Sequence, residues 1–332
     1  MQDWMALVSE DPEVYLVKTP GSERFPQTTN CYLVRGSDGL LVVDTGQGTD
    51  EGRALLEAAF DALDVSREDV SYFLTHFHAD HVDLLDRVAA AGSKVYASAA
   101  EVDLLRAVWS MRLYREEFDR VRREGVPWEL TSEEFYQLVG FGHFDLDRYD
   151  VRLIEEGDTV SAGGSRFAVL DTAGHAVGHL SLFDPESGIL FAGDHVLFDV
   201  APCIGPEMFR NNLLGCYIDN VEKVAALPVR ACMQAHGELR KDGFRERAQW
   251  LAQHHRDRAA DMLRFAREHP GSTGFELVLG ARWSAKGGWR KMSFPAQWCV
   301  LTTGLATLEY LERSGAVAAC AGADGLRRYR AC

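Results

Sequence analysis

The sequence predicts an α/β protein in which helices are layered on sheet, and three observations lead there. Strand-like apolar runs alternate with segments of helical spacing through the first hundred residues. Glycine-containing turns separate the runs. A chain of 332 residues that is 46% hydrophobic can fill one large domain, or a main domain of about 200–250 residues with a smaller one beside it.

Taken in order, "VYLVK", "CYLVRG" and "GLLVVDTG" alternate or run apolar between turns and read as consecutive strands of one sheet. "DEGRALLEAAFDAL" has helical spacing, and Asp50 is placed to cap it. "VSYFLT" is the next strand, "HVDLLDRVAAAG" a helix ended by Gly92, and "KVYAS" another strand. That alternation is the mark of helices packed on a sheet.

Residues 99 to about 147 break the rhythm. "AAEVDLLRAVWSMRLYREEFDRVRREG" reads as one long amphipathic helix, and the segment carries Trp109, Tyr114, Phe118, Trp128, Phe135, Tyr136, Phe141 and Phe144 among many charges. It is read as an insertion, and two roles fit: a helical pair over its own apolar cluster, or a lid that supplies an aromatic pocket wall. Strand-like runs resume at "YDVRLIEEGDTV", "SRFAVLDTAG", "HLSLFDPESGILFAGD" and "VRACMQAHG". Beyond Gly237 come a long charged helix, the breaker cluster "HPGSTG", a second helix and a short hairpin, an order similar to a winged helix. The expected domains are 1–240 and 241–332.

The formal net charge of −15, from 50 acidic and 35 basic residues, repels polyanions and makes nucleic acid an unlikely partner. The cysteines (31, 203, 216, 232, 299, 320 and 332) show no CxxC spacing and their count of 7 is odd, which fits reduced thiols. The N-terminal residues lack the pattern of a signal peptide, and no run reaches the ~18 apolar residues of a membrane span, so a cytoplasmic protein without a membrane partner is expected.

"YFLTHFHADH", residues 72–81, follows a strand-like run and carries His76, His78, Asp80 and His81. In extended chain, residues two apart point the same way, so His76 and His78 can aim at one point while Asp80 and His81, as the helix begins, face a second. Imidazole and carboxylate suit zinc, iron or manganese. A hydrogen-bonded polar turn without metal would bear a heavy desolvation cost at a buried strand end.

"THFHADH" matches the HxHxDH signature of the metallo-β-lactamase superfamily, which the chain resembles from about residue 10 to 240. "LDTAGHAVGHLSL", "LFAGDHVLF" and "MQAHGE" follow in the order that family shows, offering His175, Asp194 and His236, and "LLVVDTG" resembles its first strand and turn, with Asp44 beside the site. The resemblance implies a four-layer αββα sandwich with a helical insertion and a small helical, winged-helix-like C-terminal domain. It also implies two divalent metal ions, zinc foremost and iron or manganese as alternatives. His76, His78 and His175 would hold the first, Asp80, His81 and His236 the second, and Asp194 would bridge them. An aspartate at the bridging position points toward the glyoxalase II-like and general hydrolase branches, and the winged-helix-like tail resembles that of the β-lactamase-like-2 subgroup. His179 and His195 are not expected ligands: His179 is read as a hydrogen-bonding neighbour, and His195 as either that or substrate-facing. The prolines usual before His175 and His236 are missing.

The implied reaction is hydrolysis by a metal-bridged hydroxide, with Asp194 bridging and Asp80 able to take a proton. The favoured substrate is an acyl thioester of coenzyme A or glutathione type. Alternatives are a lactonase or other carboxylic ester hydrolase, a phosphodiesterase or endoribonuclease, and a single-iron oxygenase. Tyr217, His195, Arg240 and Lys241 are candidate substrate contacts. Arg245 and Arg247, and the stretch with Arg282, Lys286, Arg290 and Lys291, could also meet phosphates, or could simply form solvated faces. "WCVLTTGLATLEYL" is apolar enough to need cover, either from its own core or from a second copy in a homodimer.

Overall fold

A computed structural model describes residues 4–23, 27–37, 39–109, 112–131, 134, 145–205, 212–240, 242–281, 283 and 288–332. Two sheets lie face to face. The first has seven strands in sequence order, β1 (Met5–Glu10), β2 (Glu13–Thr19), β3 (Thr29–Gly36), β4 (Gly39–Val43), β5 (Val70–Phe73), β6 (Lys94–Ala97) and β7 (Asp150–Leu153). β1 to β4 are antiparallel, whereas β4, β5, β6 and β7 pair in parallel through helical crossovers. The second sheet holds β8 (Thr159–Ala162), β9 (Ser165–Asp171), β10 (Leu180–Asp184), β11 (Ile189–Gly193) and β12 (Ala231–Gln234) in the order β12-β11-β10-β9-β8.

Period-two alternation explains how the layers are glued. Val14, Leu16, Tyr32, Val34, Leu41, Val43 and Phe73 point inward from the first sheet onto Val160, Phe167, Val169, Leu180, Leu182 and Phe191 of the second. The opposite faces bury Val17, Leu33, Val42 and Tyr72 under α1 (Asp50–Ala62) and the short helices α2 (Ala79–Val82) and α3 (Leu85–Val88). Leu190 and Cys232 of the second sheet lie under α6 (Leu213–Ala225) and the first half of α7 (Phe244–Glu268), where α4 (Ala99–Trp109) and α5 (Arg112–Arg123) precede these in the chain. Helix, sheet, sheet, helix is the αββα sandwich expected.

Beyond it, α7, α8 (Gly274–Gly280) and α9 (Phe294–Arg313) pack with a small sheet of β13 (Ser272–Thr273), β14 (Val317–Ala321) and β15 (Arg327–Ala331) in the order β13-β15-β14. This is the winged-helix-like order. Leu301, Leu305, Leu308 and Leu311 of α9 are buried here against their own chain, while Cys299 near the start of the same stretch is exposed.

Several elements differ from expectation for local physical reasons. Thr49, not Asp50, caps α1: its side chain accepts from Gly52 N at 3.0 Å while Asp50 sits in the first turn. "MALVSE" is an additional edge strand, paired with β2 through a register shift. "YDVRLIEEGDTV" is two strands in different sheets, because the chain crosses from one sheet to the other after Leu153. The helix expected from His81 is split into α2 and α3, where Leu84 N donates to Gly46 O at 3.2 Å and ties the junction to the turn after β4.

The long helix expected from residue 99 is described as α4 and α5. Of its neighbouring aromatics, Phe135, Tyr136, Phe141 and Phe144 lie outside the described residues. The inserted segment does not cover only itself. Val121 and Val126 join the C-terminal core, and the buried Glu124 accepts from Tyr329 Oη at 2.9 Å. Helix α7 likewise serves two cores, with Ala248 and Leu251 in the sandwich and Ala259 and Met262 in the C-terminal cluster.

Candidate metal centre

The chain turns that follow β4, β5, β9, β11 and β12 all reach one end of the sandwich, and each delivers polar side chains there. Asp44 follows β4, residues 75–81 follow β5, His175 lies between β9 and β10, Asp194 follows β11, and His236 follows β12. All seven expected ligands come together. His78 Nδ1 stands 2.9 Å from His76 Nε2 and 3.0 Å from His175 Nε2. Donors bound at 2.0–2.1 Å in a tetrahedron are about 3.3 Å apart, so this nest is nearly sized for one cation. Asp80, His81 and His236 form a second group, and His76, His81 and Asp194 a third between them. The Asp194 carboxylate faces both sides: Oδ2 is 3.4 Å from His175 Nε2, and Oδ1 is 3.3 Å from His236 Nε2 and 3.7 Å from His81 Nε2.

Fixed acceptors outside the nest decide which ring nitrogen faces inward. His175 Nδ1 donates to Cys203 O at 2.6 Å, His236 Nδ1 to Thr28 O at 2.8 Å, and His81 Nδ1 to Asp44 Oδ2 at 2.8 Å. Asp44 also accepts from Thr75 N and Thr75 Oγ1, both at 2.8 Å, which leaves Thr75 Oγ1 to accept from His76 Nδ1 at 3.0 Å. With each Nδ1 proton directed outward, the Nε2 atoms of His76, His81, His175 and His236 converge on the centre, as metal-bound imidazoles require. His81 Nε2 and Asp194 Oδ1 are buried without a hydrogen-bond partner, a cost that a cation between them removes. The donor set therefore fits divalent metal.

The electrostatics agree. Burial, with the neighbouring His81 and His78 rings, holds His76 well below its usual pKa and so neutral. Burial alone would raise the Asp80 and Asp194 carboxyls, but His81 and His236 outweigh it and both are lowered. His236 and His81 are raised against the same desolvation, His236 chiefly by Asp194 and His81 chiefly by Asp44.

Missing prolines are offset by hydrogen bonds and close packing. In the His175 turn, Asn220 Nδ2 donates to Ala173 O at 3.0 Å, and Gly174 adopts φ +146° against Tyr217, where a Cβ would come within 2.4 Å. In the His236 turn, Asn30 Nδ2 donates to Gln234 O and Gly237 O, each at 3.0 Å, and Tyr32 Oη to Gln234 O at 2.6 Å.

The remaining expected residues divide. His179 is a hydrogen-bonding neighbour: Asp194 N donates to its Nε2 at 3.2 Å and its Nδ1 meets Thr172 Oγ1 at 2.7 Å. Tyr217 and His195 are fully buried behind the nest, with the tyrosine hydroxyl donating to His195 O at 2.9 Å, so neither presents a surface to substrate. Arg240 is paired with Asp199 at 2.8 Å, Arg247 donates to Leu197 O and Val200 O, and Arg290 is exposed. Lys241, Arg282 and Lys286 lie outside the described residues. Sequence reasoning passed over Asn30, Thr75 and Glu101, which act on ligand-bearing turns through backbone or ring contacts that leave no local pattern.

Sandwich and nest together define a metallo-hydrolase. The chain belongs to the metallo-β-lactamase superfamily, whose family model matches residues 24–236. It is similar to a probable metallo-hydrolase, YqjP, of Bacillus subtilis, 28% identical over 220 residues that make up 62% of this chain and 66% of that one. It is also similar to a human protein named acyl-coenzyme A thioesterase MBLAC2, 27% identical over 210 residues, 59% of this chain and 68% of that one. Among solved structures, a metallo-β-lactamase family protein from Thermus thermophilus superposes with a TM-score of 0.77 at 28% identity, covering 96% of this chain and 98% of that chain. Among the described residues no helix is long and apolar enough to cross a membrane.

Proposed function

We propose that the protein is a dinuclear metal-dependent hydrolase of acyl thioesters, with coenzyme A or glutathione as the thiol. The observation that carries the dinuclear part is the Asp194 carboxylate, with one oxygen toward each group of nitrogens. His76, His78 and His175 would hold one cation, Asp80, His81 and His236 the other, and Asp194 would be shared; zinc is the favoured metal. Bound there, two divalent cations supply Lewis acidity and bring the pKa of coordinated water toward about 7.

The chain's own groups do the rest. Asp80, whose side chain is 26% exposed beside His236, is placed to hold a proton arriving from water. Asp44, Thr75, Cys203 O and Thr28 O keep the imidazoles oriented throughout. An apolar acyl group finds a wall in the half-buried cluster of Trp128, Phe294 and Trp298, whose rings lie 5.2 and 6.1 Å from that of Trp128. Thr303 of α9 accepts from Ile204 N at 3.0 Å, next to the Cys203 carbonyl that holds His175, so the N-terminal half of α9, with Trp298, is tied to the loop beside the first nest. The thioester preference is further supported by the name of the human relative.

Phosphodiester cleavage on nucleic acid has less support: the hairpin arginines Arg327 and Arg328 are engaged by Glu312 at 2.9 Å and Asp324 at 2.6 Å rather than forming a free basic face. Seven free cysteines fit a reducing, cytoplasmic setting.

The test is metal content of protein purified without added metal, with acyl-CoA, acylglutathione, lactone and bis-nitrophenyl phosphate assayed on wild type and Asp194→Ala. Roughly two metals per chain and thioester turnover lost in the variant are expected. A single iron with oxygen-dependent activity, or turnover confined to the phosphodiester, refutes the proposal.

A further inference from the structure

We propose that Glu101 is a positioning residue that locks the His76–His78 turn to the His175–His179 turn and thereby sets the width of the first cation nest. The inference rests on the ligand assignment above. Glu101 lies in the first turn of α4, where the inserted segment leaves β6, and is only 2% exposed. Its Oε2 accepts from Phe77 N at 2.7 Å, the amide between His76 and His78. Its Oε1 accepts from Gly178 N at 2.7 Å, the amide just before His179 and three residues past His175.

One buried carboxylate therefore clasps both turns whose imidazoles meet at His78 Nδ1. The clasp is tight on every side. Ser98 Oγ accepts from Glu101 N at 3.1 Å and fixes the helix start, and a Cβ on Gly178 would lie 2.3 Å from that same Oγ and 3.1 Å from Glu101 Cγ. Two N–H donors need two acceptor oxygens at these positions, which a carboxylate offers and an amide does not. His81 and His236 are held through Asp44, Thr45 and Thr28 instead. The two bonds of Glu101 therefore act on the turns of the first nest.

The test uses metal-free full-length protein, wild type, Glu101→Gln and Gly178→Ala, titrated with cobalt(II) against a competing chelator so that the two uptake steps are resolved by their absorption. Amide exchange of Phe77 and Gly178 is followed in the same samples before metal is added. Glu101→Gln is expected to weaken one of the two steps by about 10–100-fold, leave the other unchanged, and speed exchange at both amides. Gly178→Ala, which pushes the turn off the helix while keeping the carboxylate, is expected to weaken the same step and carries the test if Glu101→Gln does not fold. Wild-type binding in both variants overturns the proposal, as does equal weakening of both steps. Wild type that takes up no cobalt fails the ligand assignment itself, whereas wild type that takes up two cations beside variants whose two affinities are both unchanged fails only the role of Glu101.

Discussion

Replacing Asp44 by Asn tests whether the protons outside the nest decide what happens inside it. Asp44 sits at φ +58°, a left-handed conformation that asparagine also accepts, so the backbone is undisturbed. Its Oδ1 takes Thr75 N, and its Oδ2 takes Thr75 Oγ1 and His81 Nδ1, each at 2.8 Å. In the variant the amide oxygen stays on the main-chain donor, and the NH₂ group then faces His81 Nδ1. The ring must turn its lone pair outward and carry its proton on Nε2, which removes it as a ligand. The lost interaction is a hydrogen bond to a charged group, worth about 2–3 kcal/mol, which corresponds to roughly 30–150-fold in the affinity of one cation. Competition titration against a chelator reads that factor directly. Thioester turnover should fall at limiting metal and recover at excess. Asp44→Asn protein that binds both cations as tightly as wild type would show that the tautomer is not set by Asp44, and the account of the nest given above would be wrong.

Other outcomes follow from the same geometry. His255 is fully buried against Tyr217, and burial pulls its pKa from 6.5 down to about 3. The unfolded chain therefore takes up a proton that the folded one refuses, so this stabilisation is complete above pH 6.5 and is lost as pH falls toward 3. Urea titrations should show wild type losing about 2 kcal/mol more than His255→Phe between pH 6.5 and 4.5, and parallel curves would contradict the assignment. Gly174→Ala places a Cβ 2.4 Å from that of Tyr217 and must displace the His175 turn; turnover about a hundredfold down is expected, and a normal rate would mean that the turn yields without moving the ring. Trp298→Ala removes part of the aromatic wall, so KM for a long-chain acyl thioester should rise about tenfold while that for an acetyl thioester stays, and equal changes in both would detach the wall from the acyl group.

What was legible in the sequence is what physics writes locally. "THFHADH" could be read because strand and helix periodicities, together with the order of the later histidine and aspartate elements, project a chain segment directly onto a site. The central strands could be read because burial on both faces leaves continuous apolar runs. By contrast, Glu101 looks like any acidic residue in a helical first turn, and Asn30 like an ordinary polar start to a strand. Their work is to satisfy main-chain N–H and C=O groups 77 and 204 positions away, at Gly178 and Gln234, where the acceptors and donors have no side-chain identity to detect. The same limit explains Thr49, since an N-cap is chosen by the backbone direction into the helix and "TD" offers two equivalent candidates. It explains the inserted segment too: its amphipathic pattern announces that a face is buried, but Val121 and Val126 found that cover in the C-terminal core. Glu101 in α4 holds the histidine turns, and Glu124 just after α5 holds Tyr329 of the C-terminal sheet. If the proposed acyl wall on α9 is right, substitutions along this segment are expected to move cobalt affinity and acyl preference together, and a change in only one of them would separate the two.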